Sequence, residues 1–356
     1  MKITQFQDIL RKKKVDFALI YNLDSLGHNP NFSYFTQYAG IGILIIPKSK
    51  QPFLLVPEME YGRAKKSFKK TFKIKKKRLF EGVMERLRKN NIKTKKIAID
   101  ESSVTLRFNK ALKKYFKNFK SVDISIDLLE LRQIKDNNEI NNTKKACRIA
   151  DNIFNKTINN FKNFKTETHV AAFLEHETKK QGCDLSFPPI VASGKNASMP
   201  HHEPENTELK KGFCVIDYGI KYKGYCSDMT RTIYIGKPSE KEREIYNFIL
   251  KVQEYTIKFT NKNNNCGKVY DFCVKSLKKY KDYFTHGLGH GVGVEIHELP
   301  NLTLSSKDKL KNNTTFTIEP GIYIPDKLGI RIEDTLLMKN RPIILTKTSK
   351  KLMIIK

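Results

Sequence analysis

The stretch VIDYGIKYKGYCSDMTRT, residues 215–232, decides how the rest of the chain is read. Its β-branched and aromatic residues favour buried strand, yet it carries two aspartates, Asp217 and Asp228. The segment from Gly219 to Gly224 between them suits a hairpin connection, so the two carboxylates can return to one neighbourhood on adjacent strands. Two like charges in a buried sheet either drive one pKa well up or require a bound cation. Further hard ligands lie downstream in strand settings. Glu319 ends the strand TTFTI at a Pro-Gly turn, and Glu333 sits in the strand GIRIED. His290 lies in THGLGHGVGVEIHELP, where Gly287, Gly289, Gly291 and Gly293 let the backbone pass close to something. Four carboxylates and one imidazole form an oxygen-dominated donor set. Such a set can hold two divalent cations about 3.5 to 4 Å apart, clamping a water between them.

The chain has 356 residues, more than one core usually serves, so two domains are expected. Apolar residues recur in short runs such as IGILII (41–46) and FLLV (53–56), far too short to span a bilayer. The N-terminus, MKITQFQDILRKKK, lacks the apolar stretch of a secretory signal and reads as a small amphipathic helix. A cytoplasmic protein without membrane contact is therefore expected. The six cysteines, at 147, 183, 214, 226, 266 and 273, form no CxxC pair, which fits reduced thiols acting as small buried hydrophobes. The net charge is +30. Residues 1–130 carry 29 lysines and arginines against 12 aspartates and glutamates, and the remaining excess is spread over the longer second part. Runs such as KIKKKR (73–78) and NKNNN (261–265) read as a solvated, compositionally biased surface rather than a nucleic-acid face.

From residue 16 the order is strand (DFALIY), strand (GIGILII), strand (PFLLVP), a basic helical stretch, strand (KIAID) and a helix through RFNKALKKYF. That alternation predicts a compact α/β domain with a mixed sheet over residues 1–130. The composition turns polar around 128–140, and a second domain is placed at 135–356. It begins with amphipathic helices through 141–161 and 170–182, the latter stopped by Gly182. FPPIVASG, the opening stretch, TTFTIEPGIYI and GIRIEDTLLM then give strands, interrupted by helices at 239–259 and 267–281. This predicts α+β with a largely antiparallel sheet.

Taken together, SGKNASMPHH (193–202), DYGIKYKGYCSDMTRT, THGLGHGVGVEIHELP, TIEPGIY and GIRIEDT resemble, in that order, the creatinase/prolidase/methionine aminopeptidase superfamily of "pita-bread" metallopeptidases. The Xaa-Pro aminopeptidase and Xaa-Pro dipeptidase (prolidase) branch is the most similar. The resemblance implies a pita-bread catalytic domain with a curved antiparallel sheet and covering helices, preceded by a smaller α/β domain. It implies that Asp217 is a terminal ligand of one metal, that His290 and Glu319 bind the other, and that Asp228 and Glu333 bridge both. Glu319 would also handle the proton of the attacking water. His201 and His297 would hold the substrate carbonyl and steady the tetrahedral intermediate, with Arg331 as a charge partner or substrate contact. Thr230 and Thr232 are expected to orient carboxylates.

The implied activity is hydrolysis of the bond between an N-terminal residue and proline by a homodimer loaded with two divalent ions. Manganese is the first choice; cobalt, zinc and iron also accept this donor set. Methionine aminopeptidases share the ligands but usually lack a separate domain ahead of the catalytic one. Creatinase-like relatives dispense with the metals. A non-catalytic binding protein on the same fold is the reading from a different class, and such relatives tend to lose ligands.

Overall fold

The computed structural model describes residues 2–23, 29–74 and 78–356. Residues 75–77 of the KIKKKR run therefore lie outside the described residues. The chain divides into two compact units, Met1–Leu131 and Arg132–Lys356.

In the first unit the order is α1 (Lys2–Lys12), β1 (Phe17–Asn22), α2 (Pro30–Thr36), β2 (Gly42–Pro47), β3 (Phe53–Pro57), α3 (Tyr61–Ser67), β4 (Thr71–Ile74), α4 (Leu79–Lys89), β5 (Lys96–Ile99), α5 (Leu106–Tyr115), β6 (Lys120–Asp123) and α6 (Ser125–Gln133). The strands form one sheet in the order β4-β3-β2-β1-β5-β6. It is mixed: β2 is antiparallel to both β1 and β3, while β5 runs parallel to β1. Successive side chains of a strand point to opposite faces, so a sheet covered on both sides needs apolar residues at every position. Ala18, Ile20, Leu44 and Ile46 face Phe6 and Leu10 of α1 and Phe32 of α2. Their neighbours Phe17, Leu19, Ile43 and Ile45 face Phe80, Val83, Phe108 and Leu112 of α4 and α5. Four elements escape the sequence reading: α2, α6, β4 and β6. The last two are edge strands, and β6 has no fully buried residue. A short edge strand of four residues with a lysine in it discourages further pairing and leaves little apolar signature.

The second unit starts with α7 (Asn137–Asn159) and α8 (Glu167–Lys180), which ends where Gly182 takes a positive φ of 65°. Next come β7 (Asp184–Leu185), β8 (Ile190–Ser193), β9 (Gly212–Tyr218), β10 (Ile220–Tyr222), β11 (Tyr225–Cys226) and β12 (Met229–Ile235). After α9 (Glu240–Phe259) and α10 (Cys266–Ser276) follow β13 (Gly289–Gly291), β14 (Glu298–Leu302), β15 (Thr315–Ile318), β16 (Gly321–Ile324), β17 (Leu328–Arg331), β18 (Asp334–Met338), β19 (Pro342–Ile344) and β20 (Ile354–Ile355). Two cores form. One packs α7 and α8 on β8, β9 and β12 through Ile153, Phe154, Leu174, Ile216 and Ile233. The other packs α9 and α10 on β15, β16, β17 and β18 through Ile249, Val269, Phe316, Ile330 and Leu336. The pairings are antiparallel apart from β20 against β12, which gives the predicted α+β architecture.

The opening stretch folds as a hairpin within a hairpin. β9 and β12 pair with Asp217 opposite Thr230, and the segment between them turns away into β10 and β11. Lys223 and Gly224, both at positive φ, make its two-residue turn. Asp228 precedes β12, so the carboxylates lie near one another through the outer pairing rather than the inner turn. No helix among the described residues is long and apolar enough to cross a membrane.

Candidate metal centre

Each core of the second unit contributes acidic groups to one cavity. Asp217 comes from β9 and Asp228 from the entry to β12, while His290 lies in β13, Glu319 follows β15, and Glu333 joins β17 to β18. All five line a cavity of about 260 Å³ together with His201, His297 and Arg331. Asp228, His290 and Glu333 offer ligand atoms within 4.8 Å of one another. His290 Nε2 is 3.4 Å from both Asp228 Oδ2 and Glu319 Oε1. His290 Nδ1 lies 3.1 Å from the Gly291 carbonyl. With the proton on Nδ1 donated there, the Nε2 lone pair points into the carboxylate cluster, as a metal ligand requires.

The surroundings hold the carboxylates from behind and leave their front oxygens bare. Thr230 Oγ1 donates to Glu333 Oε2 at 2.7 Å, and Thr317 Oγ1 donates to Glu319 Oε1 at 2.9 Å. Arg331 Nη2 donates to Asp217 Oδ2 at 2.6 Å. Asp217 Oδ1, Asp228 Oδ1 and Glu333 Oε1 are buried without a hydrogen-bond partner. A buried, unpaired carboxylate oxygen is costly, and three in one cavity with an imidazole lone pair fit divalent cations. Burial and the neighbouring Asp217 and Glu319 charges push Asp228 well above the usual carboxylate range; burial and Asp228 do the same to Glu333. Burial raises Glu319 as well.

Thr232 behaves differently from the sequence expectation. Its hydroxyl donates to the Arg331 carbonyl at 2.9 Å and accepts from the Arg331 N–H at 3.1 Å, so it ties backbone and touches no carboxylate. Arg331 is buried, with Nε on Thr230 Oγ1 and Nη1 on the Tyr323 hydroxyl and the Pro200 carbonyl. Tyr323 in turn lies 2.9 Å from His286 Nε2, while His286 Nδ1 is 2.7 Å from the Gly287 carbonyl. Burial and the Arg331 charge push His286 down to about 4, so its ring is neutral and the Tyr323 hydroxyl is its donor. Tyr323 thus braces Arg331, which pairs with Asp217.

The glycines around His290 admit protein rather than ligand. A Cβ on Gly289 would overlap the Thr317 backbone carbonyl, and one on Gly293 would overlap the Glu298 carboxylate. Gly289→Ala is expected to cost about 1–3 kcal/mol through overpacking, read as a lower thermal midpoint. A midpoint equal to wild type would mean that β13 and β15 have slack between them.

His201 and His297 stand at the exposed rim of the cavity. Burial of the His297 ring, with His290 and His201 nearby, pushes it down to about 4. It is therefore neutral near pH 7 and able to donate one N–H. Sequence reasoning missed Glu298, which is buried and paired with Lys135 at 3.1 Å. Sequence reasoning also missed Glu167, Tyr323 and Thr317. The first resembles an ordinary acidic residue in a helix first turn, and the other two resemble core strand residues. All six cysteines are buried and unpaired.

Both parts of the chain match known protein families. Residues 141–340 match metallopeptidase family M24, and residues 2–134 match the creatinase/prolidase N-terminal domain. The Xaa-Pro dipeptidase of Pyrococcus horikoshii is 37% identical over 363 aligned positions, covering 99% of this chain and 97% of that protein. The crystal structure of X-Pro aminopeptidase from Thermotoga maritima superposes with a TM-score of 0.90 at 29% identity, covering 97% of this chain and 100% of that one. The prolidase structure from Pyrococcus horikoshii gives a TM-score of 0.87 at 33% identity, with 99% of both chains covered. The chain belongs to metallopeptidase family M24, with its pita-bread fold behind a creatinase/prolidase N-terminal domain.

Proposed function

We propose that this protein is a two-metal exopeptidase that hydrolyses the bond between an N-terminal residue and proline, acting as an Xaa-Pro dipeptidase. The observation that carries the reading is the set of three orphaned carboxylate oxygens meeting the bare His290 Nε2 in one cavity. The prolyl preference rests on the relatives: two that share 37% identity over more than nine-tenths of the chain are named Xaa-Pro dipeptidases. Asp217, Asp228, His290, Glu319 and Glu333 would hold the cations. Manganese is our first choice for so oxygen-rich a donor set.

What divalent cations supply in such a site is Lewis acidity, giving a nucleophilic water at neutral pH and a polarised peptide carbonyl. Glu319, facing the cavity beside His290, would take the proton from the attacking water and pass it to the departing proline nitrogen. His201 and His297 donate N–H groups to the substrate carbonyl oxygen, where negative charge develops. Arg331 holds the Asp217 carboxylate in place. The compact units Met1–Leu131 and Arg132–Lys356 serve as the N-terminal and catalytic domains of a homodimer. Six unpaired buried thiols suit a reducing cytoplasm.

Amino-acid release by the manganese-loaded protein from three matched peptides tests this proposal: an Xaa-Pro dipeptide, an Xaa-Pro-Xaa tripeptide and a Met-Ala-Xaa tripeptide. Cleavage of the dipeptide alone is expected. Cleavage of the proline tripeptide would make the protein an aminopeptidase, and preference for the methionine peptide would move it to the methionine aminopeptidase branch. No cleavage with any divalent metal would make it a non-catalytic binding protein on this fold.

A further inference from the structure

His201 and His297 are exposed at the cavity rim, yet each is followed at once by a buried residue. His202 is 6% exposed and Glu298 3%. His202 Nε2 lies 2.7 Å from Glu167 Oε2, at the start of α8. The same carboxylate accepts from Ser193 N at 2.7 Å, Ser193 Oγ at 2.8 Å, Asn196 Nδ2 at 3.1 Å and Glu205 N at 3.2 Å. One fully buried side chain therefore gathers the segment 193–205 that carries His201. Around His297 the arrangement recurs with the charges reversed. Glu298 accepts from Val294 N at 3.0 Å and Glu295 N at 3.2 Å, closing the turn that carries His297. Lys135, itself 2% exposed, holds Glu298 Oε2 at 3.1 Å, and Arg132 Nε stands 3.4 Å from Oε1.

A surface histidine on a mobile loop loses rotational freedom each time it engages a substrate. One whose backbone is fixed from the adjacent position needs to order only its own side chain. We propose that Glu167 and Lys135 are positioning residues for the peptidase reaction, pinning His202 and Glu298 so that the rings of His201 and His297 are held at the substrate carbonyl. This rests on the roles given to the two histidines under the proposed function. Neither Glu167 nor Lys135 lines the cavity, so each acts only through the anchor it holds.

The test is a set of double-mutant cycles on the full-length, metal-loaded protein. Glu167→Gln and Lys135→Met are each expected to lower kcat about 10- to 100-fold with metal content retained, the range typical for groups that orient others at metal sites. In a His201→Ala background Glu167→Gln should cost less than about twofold, because there is no ring left to place. Lys135→Met should lose its effect in a His297→Ala background and keep it in the His201→Ala one. Equal fold losses in every background would mean general stabilisation and overturn the proposal, as would unchanged kcat in the single variants. Should Glu167→Gln fail to fold, His202→Asn takes its place in the same cycle.

Histidine-selective NMR supplies a readout that needs no turnover. Glu167→Gln should shift the His201 ring signals and spare those of His297, with the converse for Lys135→Met; unmoved ring signals count against the inference. An inactive wild type strikes the proposed function, and the NMR result still decides the anchors. An active wild type with equal losses in every background strikes the anchors alone.

Discussion

Glu333→Gln lowers kcat about a thousandfold or more and strips the purified protein of part of its metal. Glu333 is 1% exposed, with Oε2 occupied by Thr230 and Oε1 orphaned, so its only open valence faces the cavity. An amide of the same shape keeps the Thr230 bond and removes the negative charge. Cations at such sites contribute several kcal/mol of transition-state stabilisation, and about 4 kcal/mol corresponds to about a thousandfold in rate. The same substitution has the opposite effect on stability once metal is removed. In the metal-free protein Asp228, Glu333 and Glu319 all sit above the usual carboxylate range. The folded state therefore holds protons that the unfolded state releases. Its stability is full below the unfolded carboxylate pKa, near about 4, and declines as pH rises through the raised folded values. Chelated wild type should melt progressively lower from about pH 5 to pH 8. Chelated Glu333→Gln should melt above chelated wild type at the upper end, and the order should reverse when both are metal-loaded. Full activity and wild-type metal content in Glu333→Gln, measured by peptide hydrolysis and elemental analysis, would sink the assignment of this centre.

That trade between charge and stability also explains which parts of the site a sequence displays. Asp217, Asp228, Glu319 and Glu333 stand out because a carboxylate inside a β-rich run contradicts its surroundings, and such conflict between local pattern and residue type marks functional positions. Residues that conflict with nothing stay hidden. Glu167 reads as a favourable acidic residue in the first turn of α8, and only the fold shows five donors converging on it. Lys135 and Glu298 look like surface charges because their pairing spans 163 residues of chain. In the first unit, β1, β2 and β3 announce themselves as apolar runs, since both faces of the sheet are covered. At the edges, β4 and β6 need few apolar residues, and their lysines resemble the rest of a strongly basic chain. The double hairpin after Asp217 is half legible: the sequence brings Asp217 and Asp228 together on neighbouring strands, as the β9–β12 pairing does, but it does not show the inner pair β10 and β11 turning at Lys223-Gly224.

Arg231→Met should destabilise the catalytic unit by about 3–5 kcal/mol, the cost of removing one partner from a buried ion pair. Between Thr230 and Thr232, Arg231 reads as one more polar residue on the solvent face of an alternating strand. Instead it is completely buried. Its Nε donates to the Thr348 carbonyl, Nη1 to the Thr230 and Glu333 carbonyls, and Nη2 to Asp334 Oδ1 and the Thr348 carbonyl. All five guanidinium donors are used, which lysine could not reproduce. Asp334 also receives Gln253, Thr346 and Lys350 at 2.9 Å each, so the node joins β12, α9, β18 and the C-terminal segment. Burial alone would raise Asp334, but Arg231 and Lys350 hold it below the usual carboxylate range. Its contribution is therefore present above the unfolded carboxylate pKa and lost as pH falls through the lower folded value. Chemical unfolding of Arg231→Met at pH 7 should show the full loss, and Arg231→Met/Asp334→Leu/Lys350→Met, which removes all three charges together, should recover part of it. A single-variant loss below about 1 kcal/mol, within the range of exposed pairs, would mean that water reaches the node. Since Arg231 also fixes the Glu333 carbonyl, the variant should lose metal affinity along with stability, linking the strength of this core to the geometry of the site it supports.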